Sequence, residues 1–260
     1  MTSIQVVLSI ISGVMVGFTL GLLGGGGSIL AVPLLLYMVG IKDTHIVIGS
    51  TAFAVAINAY LNLILHARAS QVRWKPAIYF AIPGAVGAFL GSTLGKSISS
   101  KQILFLFAIF MMFIAIKMIL PKKERIKVSH SNYQIKYPKL ITVAALVGVL
   151  SGFFGIGGGF LIVPVLGFSA NLTMIESIGS SLFSVGTFGL TTAINYSLSG
   201  LVDWWIVLEF VGGGVVGGTI GTLLTKRLSK KQKVLNYIFS SVVMIVAIYM
   251  LFINATSLDI

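Results

Sequence analysis

Residues 17–36 read GFTLGLLGGGGSILAVPLLL, and residues 148–167 read GVLSGFFGIGGGFLIVPVLG, 131 positions further along the chain. The two segments share glycines and one proline at matching positions: Gly17/Gly148, Gly21/Gly152, Gly24/Gly155, Gly26/Gly157, Gly27/Gly158 and Pro33/Pro164. A glycine inside a helix costs about 1 kcal/mol relative to alanine, so each cluster predicts a helix break. Matching breaks in the two halves of an apolar chain indicate a transporter binding site.

The composition places the chain in a membrane. Hydrophobic residues make up 57% of the sequence, charged residues make up 9%, and the mean hydropathy is +1.03. Soluble domains carry about 25% charged residues. The net charge of +12 is confined to short loops between apolar runs, where it indicates membrane topology and not nucleic-acid binding. The chain starts MTSIQVVLSI, without basic residues, so no cleaved signal peptide is expected.

Eight apolar stretches can be read along the chain: 4–40, 46–65, 76–95, 102–120, 140–168, 174–199, 204–225 and 234–254. About 20 helical residues cross the hydrocarbon core, and six of the stretches fit one crossing each. The first and the fifth are too long for one crossing, and they carry the glycine clusters. Each therefore predicts a helical hairpin, a helix that breaks and returns.

The sequence repeat covers both halves of the chain. At an offset of 130, IGSTAF at 48–53 matches IGSSLF at 178–183, and PGAVGAFLG at 83–91 matches GGVVGGTIG at 213–221. We predict an N-terminal repeat at 1–120, a basic cytoplasmic linker at 121–139 and a C-terminal repeat at 140–260. Each repeat would contain one broken element followed by three transmembrane helices.

Basic residues decide between two topologies. If every stretch crosses once with the linker inside, nine Lys and Arg residues lie in inside loops and eight in outside loops. If stretches one and five are hairpins, 14 lie inside and three outside. Cytoplasmic loops are rich in Lys and Arg, so the hairpin topology is favoured, with both termini outside. A hairpin plus three crossings makes an odd number of net crossings, so the second half has the opposite orientation in the membrane to the first. The sequence therefore predicts an all-α polytopic membrane protein built from an inverted repeat.

The two breaks predict a site for an anion. Glycines allow a ligand to approach the backbone closely, and a helix that restarts after a break presents unpaired N–H groups and a partial positive charge. The alternative for these glycines is close helix packing, which we favour for Gly84, Gly87, Gly91, Gly213, Gly214, Gly217, Gly218 and Gly221. The predicted substrate-binding residues at the breaks are Gly24, Gly25, Gly26, Gly27, Ser28, Gly155, Gly157, Gly158 and Gly159.

Further polar residues follow each hairpin. The hydroxyls of Ser50, Thr51, Ser180 and Ser181 are candidates for contact with an anion, or for bonds to neighbouring carbonyls. Asn58 is a candidate ligand, with helix–helix bonding as the alternative. Glu209 is interpreted as reaching the membrane surface, with proton carriage as the alternative, and Lys117 lies near a helix end, where it can snorkel. No catalytic residue, metal site or cofactor is predicted.

The segments GLLGGGGSILAVPLLLYMVG and GFFGIGGGFLIVPVLGF resemble the two repeat motifs of the sulfite exporter TauE/SafE family of membrane permeases. The resemblance extends over essentially the whole chain, including IGSTAF and IGSSLF. It implies transport of sulfite, sulfonates such as sulfoacetate, or related sulfur oxyanions. The residues themselves indicate only a backbone site that suits an anion.

The expected function is therefore transport of a small sulfur-containing anion, most simply export, by alternating access around the paired breaks. An anion channel, or a permease for another small anion, is the alternative. A membrane-embedded enzyme is disfavoured, because the sequence offers no convergent cluster of His, Asp or Glu. The expected location is the cell (inner) membrane. The expected partners are the anionic substrate and the lipid bilayer, with a homodimer left open.

Overall fold

The structure, a computed structural model, describes residues 2–119, 137–170, 172–228 and 232–256. Most of the predicted linker at 121–139, and part of the predicted inside loop at 226–233, lie outside the described residues. In the described ranges all regular elements are helical, and seven helical segments are long and apolar enough to cross a membrane. The all-α polytopic class predicted from the sequence is thereby confirmed.

The helices follow the predicted stretches closely. In the first half these are α1 (Ser3–Leu23), α2 (Ala31–Pro33), α3 (Thr44–Arg68), α4 (Trp74–Lys96) and α5 (Ser100–Ile119). A 3₁₀ helix (Gly24–Leu30) precedes α2 and a π-helical turn (Leu34–Met38) follows it. In the second half they are α6 (Tyr137–Phe154), α7 (Gly159–Ser169), α8 (Met174–Ser197), α9 (Trp204–Leu228) and α10 (Gln232–Thr256).

Side-chain caps explain where several helices begin. Thr2 and Gln5 form a capping box at α1, and Thr173 and Glu176 form another at α8. The Asp43 carboxylate accepts from the amides of His45 and Ile46 at the start of α3. Such caps satisfy amides that have no partner within the helix, which matters most where water is scarce.

The first long stretch returns to the side on which it starts. The Gln5 side chain donates to the Val39 carbonyl at 3.3 Å, and the Ser12 hydroxyl lies 3.8 Å from the Met38 sulfur. Residues 38–39 therefore lie beside the beginning of α1, although α1 runs for 21 residues before it breaks. The segment is a hairpin, as its length and the distribution of basic residues predicted.

Contacts between helices give their directions. Helix α1 runs parallel to α9, with close approaches at Gly13/Phe210, Gly17/Gly214 and Gly21/Gly218. Helix α3 is also parallel to α9, through Asn58/Gly214 and Asn62/Gly218. Helices α1 and α3 thus run the same way, which requires the chain to turn back between them. A Cβ on Gly13, Gly17 or Gly21 would overlap the backbone of α9, so these glycines serve close helix packing.

The second half repeats this arrangement. Helix α4 is parallel to α6, with close approaches at Gly84/Gly148 and Ala88/Gly152, and parallel to α8, through Ala77/Ser184 and Ser92/Asn195. Helices α6 and α8 therefore run the same way, as α1 and α3 do. The central pair α3 and α8 is antiparallel, because Gly49 lies by Tyr196, Tyr60 by Thr187 and His66 by Gly179.

The outer surface suits lipid. Large apolar side chains point outward on the peripheral helices, including Ile82 (64% exposed), Leu223 (77%) and Phe252 (73%). The central helices α3 and α8 are enclosed by the others, and Val47, Val55, Leu182 and Val185 have no exposed surface. A protein that exposes such an apolar girdle is solvated by hydrocarbon.

Candidate functional site

The two glycine-rich breaks touch each other at the centre of the molecule. Gly25 lies directly against Gly159, and a Cβ added to either residue would overlap the backbone of the other. All residues from Gly24 to Ser28, and from Gly155 to Gly159, are buried. Only glycine at both positions permits this approach, so the sequence correctly predicted that the two breaks meet.

The meeting point lies halfway along the two central helices. A Cβ on Gly25 would contact Val185, and one on Gly157 would lie 2.9 Å from Val185 and 3.4 Å from Val55. Val55 and Val185 are near the midpoints of α3 (Thr44–Arg68) and α8 (Met174–Ser197). Each break also packs on the opposite half: Gly24 contacts Ile178 of α8, and Gly155 contacts Ile48 of α3.

The polar groups of the first break have hydrogen-bond partners, one within the break and one on α8. Its chain continues as a 3₁₀ helix from Gly24 to Leu30. The Ser28 hydroxyl donates to the Gly25 carbonyl at 2.7 Å, and the Gly25 amide lies 3.5 Å from the Ser181 hydroxyl oxygen. Within this break Gly24 has a positive φ, +71°.

The second break is open. Gly155, Gly157 and Gly158 all have positive φ, between +66° and +68°, and α7 begins directly after them. The Ile156 amide donates to the Ser151 carbonyl at 3.2 Å. Within the described part of the chain, the amides of Gly157 and Gly158 donate to no acceptor. Successive amides in such a turn, ahead of a helix N-terminus, form a concavity that suits an anion.

Ser151 lies beside this open break, and it was not predicted from the sequence. Ser151 is 1% exposed, and its hydroxyl has no hydrogen-bond partner among the residues that the structure describes. A Cβ on Gly158 would lie 3.2 Å from the Ser151 hydroxyl oxygen and 2.9 Å from its Cβ, so the hydroxyl borders the break. The signal was present in the sequence as a polar residue one helical turn before Gly155. The repeat carries Leu20 at the matching position, so Ser151 fell outside the shared motif.

The predicted hydroxyls after the hairpins hold the loops that join helices. The Ser180 hydroxyl accepts from the Arg73 amide at 2.8 Å, and the Ser50 hydroxyl accepts from the Asp203 amide at 2.8 Å. Arg73 also forms an ion pair with Glu176 at 2.6 Å. The loop before α4 therefore packs on the first turns of α8, and the loop before α9 packs on the first turns of α3. Neither hydroxyl lies at the contact between the breaks.

Thr51 and Ser181 bond to neighbouring carbonyls, the alternative that the sequence left open. Thr51 donates to Val47 and Ile48 at 2.7 and 3.1 Å, and Ser181 donates to Ile178 at 2.8 Å. Hydroxyls in transmembrane helices commonly return to their own backbone in this way.

Asn58 faces α9 and not the breaks. It has no exposed surface and lies against Gly214, and in the described part of the chain neither polar atom of its carboxamide has a hydrogen-bond partner. Asn62, one turn along, donates to the Asn58 carbonyl at 2.8 Å and accepts from Thr222 at 2.9 Å. A direct role of Asn58 in binding stays a prediction.

Ionisable groups lie away from the centre. The Lys117 ammonium lies 5.7 Å from the Phe113 ring centroid near the end of α5, and the side chain is exposed. Lys96, at the end of α4, donates to the carbonyl and side-chain oxygens of Asn195 and to Ser199, at 2.8–2.9 Å. The described residues include no cluster of His, Asp and Glu that would hold a metal ion.

A helical bundle with a hairpin in its first half, and with two broken elements meeting at its centre, defines the class of polytopic membrane permeases. The model of the family described as "Sulfite exporter TauE/SafE" matches residues 9–250. The chain belongs to this family, and it is a multi-pass membrane transporter.

Relatives cover nearly the whole chain. A "Probable membrane transporter protein" of Xylella fastidiosa is 48% identical over 259 residues, covering 99% of both chains. "Probable membrane transporter protein MJ0441" of Methanocaldococcus jannaschii is 29% identical, covering 92% of this chain and 94% of the relative. YunE of Bacillus subtilis, which has the same description, is 25% identical and covers 88% and 92%. No solved structure matches the chain significantly.

Proposed function

We propose that the protein exports a small sulfur-containing anion, such as sulfite or an organosulfonate, through a site at the paired breaks. The observation that carries this proposal is the contact of Gly25 with Gly159 halfway along α3 and α8. Beside this contact, the amides of Gly157 and Gly158 donate to no acceptor among the described residues. Irregular backbone at that depth is tolerated where it is packed in protein or lines a polar cavity. The family's description supports the sulfur anion as the substrate.

Alternating access by an inverted repeat is the mechanism that we propose. The antiparallel direction of α3 and α8 supports it, as do the matching contacts of Gly24 with Ile178 and of Gly155 with Ile48. In such a repeat one half rocks against the other around a fixed central site. Opening one side means releasing the loop that docks on Ser180, and opening the other means releasing the loop that docks on Ser50.

The proposed direction is outward, on electrical grounds. An anion that leaves a cell with a negative interior gains about 2.3 kcal/mol per charge for each 100 mV. This gain suffices to export a monovalent anion without ATP. The same electrical free energy would drive an anion through a channel, so only kinetic measurements distinguish a channel from an alternating-access transporter.

The direct test is a screen for ligands. Purified protein would be heated with sulfite, sulfate, thiosulfate, sulfoacetate, taurine or chloride, because a ligand that binds the folded state raises Tm. We expect sulfite or a sulfonate to raise Tm more than chloride does. Reconstituted vesicles should then exchange labelled sulfite, and unitary currents in a planar bilayer would instead indicate a channel. If no anion raises Tm or is exchanged, the proposal fails.

A further inference from the structure

The two breaks match in sequence but differ in their hydrogen bonding. At the first break the Ser28 hydroxyl and the Gly25 amide both have partners. At the second break the amides of Gly157 and Gly158 have no acceptor in the described part of the chain. Buried amides without a partner are rare in proteins, and they are costlier at membrane depth. The second break is therefore the one whose buried hydrogen-bond donors are available to a ligand.

Ser151 adds a third group to this set. Its hydroxyl is buried, lies next to Gly158, and has no hydrogen-bond partner in the described ranges. Unlike the amides it is part of a side chain, so it is an independent sign that the site receives a ligand. The counterpart in the first half is Leu20, which is fully buried and apolar.

The chemistry of the three groups selects the ligand. Two amides and a hydroxyl all supply hydrogen-bond donors, and the partial positive charge at the start of α7 adds to them. A cation would be repelled, and a neutral amine would find no acceptor among the amides. An oxyanion offers several acceptor oxygens and can take all three bonds, and the partial positive charge at the start of α7 stabilises its negative charge.

We propose that a small oxyanion binds on one side of the central contact, held by the amides of Gly157 and Gly158 and the hydroxyl of Ser151. The first break serves as the opposing wall, because its own polar groups are already bonded. This inference rests on the proposed function and makes it more specific. Ser151 becomes a substrate-binding residue, and the two halves have unequal roles.

The test compares Ser151→Ala with Ser177→Ala. Ser177 is also fully buried, and its hydroxyl has no partner among the described residues. It lies near the start of α8, where its hydroxyl oxygen would be 3.4 Å from a Cβ on Gly167. Sulfite and sulfoacetate binding would be measured by calorimetry, and folding by Tm without ligand. We expect Ser151→Ala to weaken binding on the order of tenfold, the size of a hydrogen bond to a charged group. Ser177→Ala should bind as the unmodified protein does.

The outcomes separate the two proposals. If the unmodified protein binds none of the anions, the proposed function fails, and this inference fails with it. If the unmodified protein binds but Ser151→Ala binds equally well, only the assignment of Ser151 is overturned. If both serine variants lose affinity equally, the effect is a general one of buried hydroxyls, and the one-sided site is again rejected.

Discussion

At Gly157, as at Gly24, Gly155 and Gly158, a positive φ coincides with a crowded Cβ position. The φ of Gly157 is +66°, and a Cβ would lie 2.9 Å from a methyl group of Val185. Gly200 has a similar φ of +70°, but no atom of the described residues lies within 4 Å of its Cβ position. Comparing substitutions at Gly157 and Gly200 therefore separates the effect of backbone strain from the effect of crowding at the candidate site.

We predict that Gly157→Ala abolishes anion binding, whereas Gly200→Ala only lowers stability. A non-glycine residue in the left-handed region costs roughly 1–2 kcal/mol, and both variants carry that cost. Only the Gly157 variant also fills the space beside the unpaired amides. Tm and calorimetric affinity for sulfite would be measured for both proteins. Normal sulfite affinity in Gly157→Ala would return this glycine to a packing role.

A second residue prediction concerns Ser50. Because its hydroxyl accepts from the Asp203 amide, Ser50→Ala leaves a backbone donor unpaired and should destabilise the protein by about 1 kcal/mol. The change would appear as a lower Tm of the ligand-free protein. If Tm stays constant while sulfite affinity falls, the hydroxyl is a ligand, as the sequence first suggested.

The difference between the breaks shows where sequence reasoning reached its limit. The glycine clusters correctly predicted that both segments break and meet, and the contact itself is made by Gly25 and Gly159, which leave no room for side chains and do not match each other in the repeat. The sequences GGGGS and GIGGG do not reveal that one forms a 3₁₀ helix and the other an open turn. That choice depends on partners distant in the chain, such as Ser181 for Gly25.

At the scale of elements, the hairpin was predictable because two independent properties agreed. The first stretch is too long for one crossing, and only hairpins give an uneven distribution of basic residues. The contact between Gln5 and Val39 agrees with both properties. The parallel packing of α1 and α3 on α9 was not predictable, because it depends on which glycine faces meet in space.

The topology can be tested with single cysteines, because the chain contains none. With hairpins, the loop after α8 lies outside, and with single crossings it lies inside. Leu198 is 81% exposed in this loop, so Leu198→Cys should react with an impermeant maleimide added to intact cells. Ala69→Cys, inside in both topologies, and Ser99→Cys, outside in both, are the controls. Failure of the Leu198 variant to react, while Ser99→Cys reacts, would reject the hairpin topology.

At the scale of the whole molecule, the two halves form one core. Helix α1 packs on α9, α4 on α6, α3 on α8 and α5 on α10, so each principal interface joins one half to the other. The sequence repeat predicted two units of similar composition. It did not predict that their helices alternate in space, since a repeat pattern carries no information about which unit a helix contacts.

We therefore predict that neither half is stable alone. Fragments 1–130 and 131–260 would be expressed separately and together, and their dispersity would be measured by size-exclusion chromatography in detergent. Each fragment alone should aggregate, because close-packed glycine faces such as Gly13–Gly21 would lose their partner helix. Co-expression should restore a monodisperse particle. A single fragment that is monodisperse and fully helical would contradict the shared core.

The antiparallel direction of α3 and α8 bears on how such a molecule arises by gene duplication. A one-half ancestor that paired with itself in this geometry needed copies inserted in both directions, so its loops could hold no strong excess of Lys and Arg at either end. In a fused chain the first half sets the membrane orientation of the second, so an excess of Lys and Arg in the loops on one side no longer prevents the two halves from pairing. The predicted 14-to-3 distribution of basic residues is compatible with the joined chain, whereas the same bias would hinder a one-half protein that has to insert in both directions.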